Sequence, residues 1–510
     1  MAGTETDAAA PRAVVSTPLF EGFSRDELVA VIRGLKLLTF EPGDVLVTEG
    51  APGGSLFILT TGTVKAFVKD ARGESVKVHE LGEGSFFGEI SILTGKPRTA
   101  TLTAATSCEV LELDKATLDS ITRGDHPQPA LSVPGPEVIV VGLGAMGSAA
   151  AWQLARRGRR VLGFDRFSPP HTLGSSHGRS RIIREAYFEH PSYVPLIRRA
   201  YEGWAELERE SGRRLLRQTG GLMAGPEGGV LVAGARRSAL AHGLPHEVLD
   251  AAEIRRRFPG LAPPAEFVGL VEPRAGMLDP EASVESALAL ARRRGAELRM
   301  DEPVTSWRAD GDGVAVTSPA GRWRADRLIL SAGPWMKAPE LLGPLGRRLQ
   351  VERQLFHWFE PARTPGLFRA DRCPVTIWEH APGRVFATQP DAGDGVKAGI
   401  HHDGELTDPE RVRREPTADD ERAMRRLMET YMPAAAGPLR EARVCLYTNT
   451  PDHHFVIDVH PGHPQVMIAS PCSGHGFKFA VVVGEILADL ATQGRSRFDL
   501  APFALSRFEA

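Results

Sequence analysis

The sequence predicts an α/β chain in which a Rossmann-like dinucleotide-binding domain follows a small all-β β-roll. Three stretches carry that prediction. Residues 137–165 read EVIVVGLGAMGSAAAWQLARRGRRVLGFD: an apolar strand, a glycine-rich turn, a helical pattern and a second strand ending in an acid. Upstream, short alternating segments such as LFILTTG and VKAFVKD are broken by glycines, as in a β-roll or barrel. Between the two, residues 124–136, GDHPQPALSVPGP, are rich in Pro and Gly and lack periodicity, which reads as an extended linker.

Residues 1–16, Ala-rich with Glu5, Asp7 and Arg12, lack the apolar core of a signal peptide and read as a disordered tail. Ser24 and Glu27 have capping-box spacing and predict a short helix to about Arg33. Gly43, Gly50, Gly53, Gly54, Gly62, Gly73, Gly82 and Gly84 then punctuate the strands of a β-roll assigned to residues 17–123. Within it, FFGEISILTGKPRTATLTA, from Phe86 to Ala104, places a short helix near Gly88, whose free N–H groups suit a phosphate. Arg98 adds a charge-assisted contact, and Glu89 an acceptor for a ribose hydroxyl.

That segment resembles the phosphate-binding cassette of the cyclic nucleotide-binding domain family, over about residues 18–115. The resemblance implies cyclic AMP or cyclic GMP as ligand, with phosphate contacts from Arg98 and Thr99 and ribose contacts from Gly88 and Glu89. The chain departs from that family after Leu113. Lys115 to Thr122 leaves room for barely two turns of helix before Gly124, Pro127, Pro129, Pro134 and Pro136, where the family has long helices over the base. No helix-turn-helix follows the roll, so a transcription-factor reading has no reading head.

The Rossmann unit follows from local physics. Val138 to Val141 lacks polar interruption, as expected of a strand buried on both faces. Gly142 allows the tight turn, Gly144 lets N–H groups approach a pyrophosphate, and Gly147 lets helix and strand pack closely. Asp165, roughly 20 residues on, is placed to accept ribose hydroxyls. On this evidence FAD and NAD both remain open.

Further along, SPPHTLGSSHGRSRIIREAY, from Ser168 to Tyr187, carries Arg181 and Arg184 beside isoleucines that suggest burial. Buried arginines need anionic partners, such as a carboxylate or polar atoms of a flavin. ADRLILSAGPWM, from Ala325 to Met336, reads as a buried strand ending in a glycine loop. ARVCLYTNTPDHHFVIDVHP puts Cys445 and Tyr447 on a strand-like run. MIASPCSGHGFKFAVVVGEILADLA reads as strand, glycine loop with Gly474 and Gly476, then a helix with Lys478 in its first turn. A helix N-terminus and a lysine there favour an anionic group.

Together with TGGLMAGPEG, these segments make residues 137–510 resemble the monomeric sarcosine oxidase family and its neighbours, within the D-amino-acid-oxidase-like flavoproteins. The resemblance implies an FAD-binding part, about 137–215, 282–350 and 452–499, and an α+β antiparallel-sheet substrate domain, about 216–281 and 351–451. It implies FAD attached through a thioether at Cys445. It also implies a substrate carboxylate held by Arg184 and Lys478, with Tyr447 and His401 in the same pocket, Arg181 beside the flavin, and Lys397 promoting reaction with oxygen. The implied activity is oxidation of the secondary amine of a small N-methyl amino acid, giving hydrogen peroxide and an imine that hydrolyses. Alternatives are a dehydrogenase, an oxidase of cyclic or bulky amino acids, or a cyclic-nucleotide sensor with the oxidase as output. Two departures bear on the substrate: a pocket tyrosine of the family stands here as Phe386, and one of a pair of histidines as Ser176, with His177 kept.

The totals agree with this reading. A net charge of -3 gives no general reason to bind nucleic acid or a membrane surface, and no apolar run is long enough to span a bilayer. Cys108, Cys373, Cys445 and Cys472 are too few and scattered for a disulfide framework, which points to the cytoplasm. The paired histidines 401/402, 453/454 and 460/463 lack the helical spacing of a zinc site, and no metal is expected.

Overall fold

The computed structural model describes residues 35–69, 75–83, 85–88, 97–115 and 135–508. The predicted tail, the helix capped by Ser24, Glu89, the turns expected up to Thr122 and nearly all of the linker lie outside the described residues. The chain divides into two compact units, Met1–Ser132 and Val133–Ala510.

In the first unit the glycine-punctuated strands pair antiparallel in two sheets. One orders Lys36–Phe40, Cys108–Asp114, Ser55–Thr61 and Phe86–Phe87; the other orders Val45–Val47, Thr101–Ala104, Val64–Lys69 and Ser75–Leu81. Alternate residues point inward, so Phe57, Leu59, Val64, Ala66, Leu102, Ala104, Cys108 and Val110 form one core.

The second unit is built on two large sheets. In the first, Val138–Val141 is buried at every residue because it is central and covered on both faces. Its sheet runs Glu297–Arg299, Val161–Phe164, Val138–Val141, Arg327–Leu330 and His463–Ser470, all parallel, with Val456–His460 antiparallel at the edge. Helices Ala145–Arg156, Pro280–Arg293 and Ala480–Gln493 bury their apolar sides in one continuous core with it.

The second sheet orders Glu247–Asp250, Phe267–Glu272, Gly221–Pro226, Val375–Ala381, Arg384–Gln389, Val396–His401, Gln350–Phe359 and Glu405–Thr407, and Leu439–Asn449 pairs along Gln350–Phe359. One face packs on helix Ala418–Tyr431. There Trp378, Phe386, Met424, Met428 and Tyr431 form a separate core. Phe386 is completely buried and rests against Trp378 and Tyr431. The expectation that Phe386 lines a pocket is therefore corrected. Side chains alternate along a strand, and the cavity-facing residues of this one are Val385, Ala387 and Gln389. No helix among the described residues is long and apolar enough to cross a membrane.

Phe386→Ala is expected to destabilise the second unit by about 3–5 kcal/mol, the usual effect of emptying a filled aromatic site. Urea unfolding followed by tryptophan fluorescence measures this, and an unchanged midpoint would contradict the placement.

Candidate active site

A cavity of about 700 Å³ connects the glycine-rich turn to the free face of the second sheet. At the first end, helix Ala145–Arg156 starts at Gly144, which has no side chain to cap it, so the N-terminal N–H groups other than that of Ala145 keep their pull on an anion. Gly142 and Gly144 line the cavity, and the Ala145 N–H donates to Ser176 Oγ at 3.1 Å. Gly147 acts one turn deeper: a Cβ there would lie 1.7 Å from the Gly142 carbonyl oxygen, so only glycine lets the helix sit against the turn. Asp165 accepts the N–H groups of Leu143 at 2.7 Å and Phe167 at 2.9 Å. Burial still pushes its carboxyl up to about 6.

At the other end, period-two alternation brings residues from three strands to one wall: Val385, Ala387 and Gln389; Lys397, Gly399 and His401; Cys445 and Tyr447. Cross-strand register sets Lys397 beside Gln389 and His401 beside Val385. The Lys397 ammonium donates to the carbonyls of Gly178 and Ser180, both at 2.6 Å, and lies 4.1 Å from the centre of the Phe356 ring. Burial, reinforced by Arg181, holds its pKa well below the usual lysine range. Arg181 donates to the carbonyls of Ser175 and Ser180 and lies 3.7 Å from Cys445 Sγ. Burial raises the Cys445 thiol, while Arg181 and Lys397 pull it the other way, toward thiolate.

His401 Nδ1 is 3.2 Å from the Tyr447 hydroxyl, and its burial keeps the imidazole neutral. Both rings pack against Gly474: a Cβ there would fall 2.4 Å from Tyr447 Cε2 and 2.5 Å from His401 Cε1. Gly476 has a different reason, since its Cβ would meet the Pro471 carbonyl oxygen at 1.5 Å; it closes the loop on itself. His177 is buried, and that burial holds it neutral, down at about 3.

Arg184 and Lys478 both line this end of the cavity. Arg184 is 4% exposed and already has an anion, Glu189, whose two carboxylate oxygens each accept from Nη2 at 2.7 Å. Lys478 lies in the 3-10 turn Phe477–Phe479 ahead of helix Ala480–Gln493, which corrects its expected place in the helix's first turn. Its ammonium donates to the His475 carbonyl at 2.7 Å; burial, then Arg184, lowers its pKa to about 7. His475 Nε2 is 3.2 Å from the His453 carbonyl, which can only accept, so Nε2 carries the proton and Nδ1 accepts from the Tyr187 hydroxyl at 2.6 Å. Sequence reasoning missed Glu189, Tyr187 and His475. The available signal was Glu189, five residues after Arg184 and two beyond the end of that segment.

In the first unit Arg98 is buried, lies over the Phe57 ring and donates to the Gly88 carbonyl at 3.3 Å. Gly88 has φ +90° and Thr99 is exposed; Glu89 falls outside the described residues. Among the described residues no group of three His, Cys, Asp or Glu side chains is arranged to hold a metal ion.

A parallel sheet with a glycine-turn anion cradle, whose cavity opens onto a mixed sheet with Lys397 on its wall, defines a dinucleotide enzyme. Residues 137–490 match the FAD dependent oxidoreductase family, and the chain belongs to it. Residues 37–125 match the cyclic nucleotide-binding domain. Monomeric sarcosine oxidase of Streptomyces avermitilis is 46% identical over 378 residues, 73% of this chain and 98% of that protein. N-methyl-L-tryptophan oxidase of Salmonella arizonae is 36% identical over 377 residues, 73% of this chain and 99% of that protein. Among solved structures, NikD, an unusual amino acid oxidase essential for nikkomycin biosynthesis, is 26% identical with a TM-score of 0.63, covering 72% of this chain and 97% of that one.

The residues present fit FAD. The helix N-terminus at Gly144 suits a diphosphate, and Asp165 lines the cavity with an acceptor for ribose hydroxyls. On the wall beside Lys397, the Gln389 side-chain oxygen is buried without a hydrogen-bond partner among the described residues, a polar atom that a bound molecule would satisfy.

Proposed function

We propose that this chain oxidises the secondary amine of an N-alkyl α-amino acid, sarcosine-like in its carboxylate and amine, with FAD carried covalently by Cys445 and oxygen as the final acceptor. The observation that carries this reading is the convergence of two buried cations, Arg184 and Lys478, on the cavity that Cys445 and Lys397 also line. FAD, when bound, supplies a two-electron acceptor for the C–H bond next to nitrogen.

The chain's own residues do the rest. The substrate carboxylate displaces Glu189 from Arg184 and draws a proton onto Lys478, so that two charge-assisted contacts fix one end of the molecule. His401 and Tyr447, paired at 3.2 Å, border the amine and present neutral polar groups to it. Lys397 is held by two carbonyls, and we assign it to placing positive charge beside the oxygen being reduced. Cys445 is the link to the cofactor; burial raises its thiol, and Arg181 alongside offsets part of that rise.

A second reading concerns substrate size. The cavity is also lined by Ile377, Val385, Ala387 and Gly399, which are hydrocarbon or small. That surface favours an N-alkyl amino acid with an apolar side chain or ring over sarcosine itself. The first unit is assigned to binding a cyclic nucleotide, with Arg98 facing the phosphate; its support is the family match and the buried Arg98 beside Gly88.

Three outcomes are expected. Acid precipitation of the purified protein should leave the yellow colour in the pellet, and Cys445→Ala should release it to the supernatant; release from both would remove the covalent link. Binding of acetate, followed by the change in flavin absorbance, should weaken by up to tenfold per pH unit above about 7. Lys478 is a cation below that value and loses its proton above it. Lys478→Met should bind weakly at every pH, and a flat profile in the wild type would end the clamp assignment. Calorimetry of the whole chain with cyclic AMP and cyclic GMP should give heat for one of them that Arg98→Ala abolishes; no heat for either would leave the roll as a scaffold.

A further inference from the structure

Besides Glu189, which lines the cavity, Arg184 is held from outside it. Glu272 is the last residue of strand Phe267–Glu272 and is 2% exposed. Its Oε1 accepts from the Glu185 N–H at 3.0 Å, and its Oε2 from the Ala186 N–H at 2.6 Å. The Ala186 carbonyl in turn accepts from Arg184 Nη1 at 3.1 Å. One residue, Ala186, therefore joins a buried carboxylate on its N–H side to the guanidinium on its C=O side.

The fold makes room for this acid. Its cross-strand partner is Gly221, from the TGGLMAGPEG segment, where a Cβ would lie 2.5 Å from Ala275 Cβ and 3.5 Å from Glu272 Cγ. A carboxylate is an unfavourable group to bury, and burial pushes Glu272 up to about 7 against the opposing pull of the two N–H groups and Arg184. When ionised it offers two acceptor oxygens and no donor, the requirement for holding two consecutive N–H groups at once.

We propose that Glu272 is a positioning residue for substrate binding, holding the Glu185–Ala186 turn so that Arg184 presents its guanidinium to the substrate carboxylate. This rests on the assignment of Arg184 to the carboxylate clamp. Glutamine has the same size, but its NH2 would confront one of the two N–H groups, so the turn loses an anchor while the cavity wall keeps every residue.

The test uses the full-length holoenzyme. Glu272→Gln is expected to raise KM and the acetate dissociation constant about tenfold, the usual effect of losing one charge-assisted hydrogen bond. kcat should stay within about twofold, because nothing at the reacting atoms changes. Glu272→Asp, which keeps both acceptors on a shorter stem, should recover part of the affinity, and it gives the same reading if Glu272→Gln does not fold. Arg184→Ala is the reference: if acetate binding survives it, the clamp assignment itself fails. If Arg184→Ala weakens binding while Glu272→Gln leaves KM unchanged, or lowers kcat and KM effects together with flavin content, the positioning role is overturned. In Arg184→Ala, adding Glu272→Gln should weaken acetate binding no further; a full additional tenfold loss would also overturn it.

Discussion

Buried positive charge is the constraint on which the site depends. Arg184, Lys397 and Lys478 are each no more than 6% exposed, and taking such groups out of water is costly unless hydrogen bonds and counter-charges replace the hydration. Glu189 meets Arg184 directly, but the two ammonium groups are held by backbone carbonyls. Carbonyl dipoles satisfy donors without cancelling charge. The lowered pKa values of Lys397 and Lys478 record the shortfall, and an anionic ligand is what would make it up.

Carbonyls become available for this purpose only where the chain leaves regular ladders, and both loops do so. Gly178 and Arg179 have φ of +105° and +64°, Ser473 and Gly474 of +42° and +79°. In this left-handed region successive peptides turn over, so oxygens that a strand would use for pairing face the side chains of Lys397, Arg181 and Lys478 instead. Strain of this kind persists where surrounding packing enforces it, and here the second sheet and helix Ala480–Gln493 supply that packing. Ser176, just before the first of these loops, accepts from the Ala145 N–H at the glycine turn, so the cofactor cradle and part of the cation cluster share one frame.

The parts of the site differed in how far the sequence disclosed them. The glycine turn and Asp165 were readable because strand, turn, helix and acid interact within one short segment. Lys397, His401, Cys445 and Tyr447 were named through resemblance, since nothing in their spacing reports that two strands from different parts of the chain share a face. Phe386 shows the limit most clearly. A shift of one residue along a strand moves a side chain from cavity to core, and only the pairing of Gln389 with Lys397 settles which residues face the cavity. Glu189 and Glu272 escaped notice for another reason: an isolated acid in sequence looks like a solvated charge until its burial is known.

By itself, then, the sequence determined the strand–turn–helix–strand unit with its phosphate cradle and the glycine-punctuated roll ahead of it. These follow from short-range periodicity and from glycine's conformational freedom. Tertiary structure alone decided which anion or carbonyl each buried cation meets, which face of the second sheet forms the cavity, and that Glu272 reaches Arg184 through Ala186. Those contacts join residues as far apart as 178 and 397, or 186 and 272, and they exist only once strand register and loop conformation have brought the side chains together.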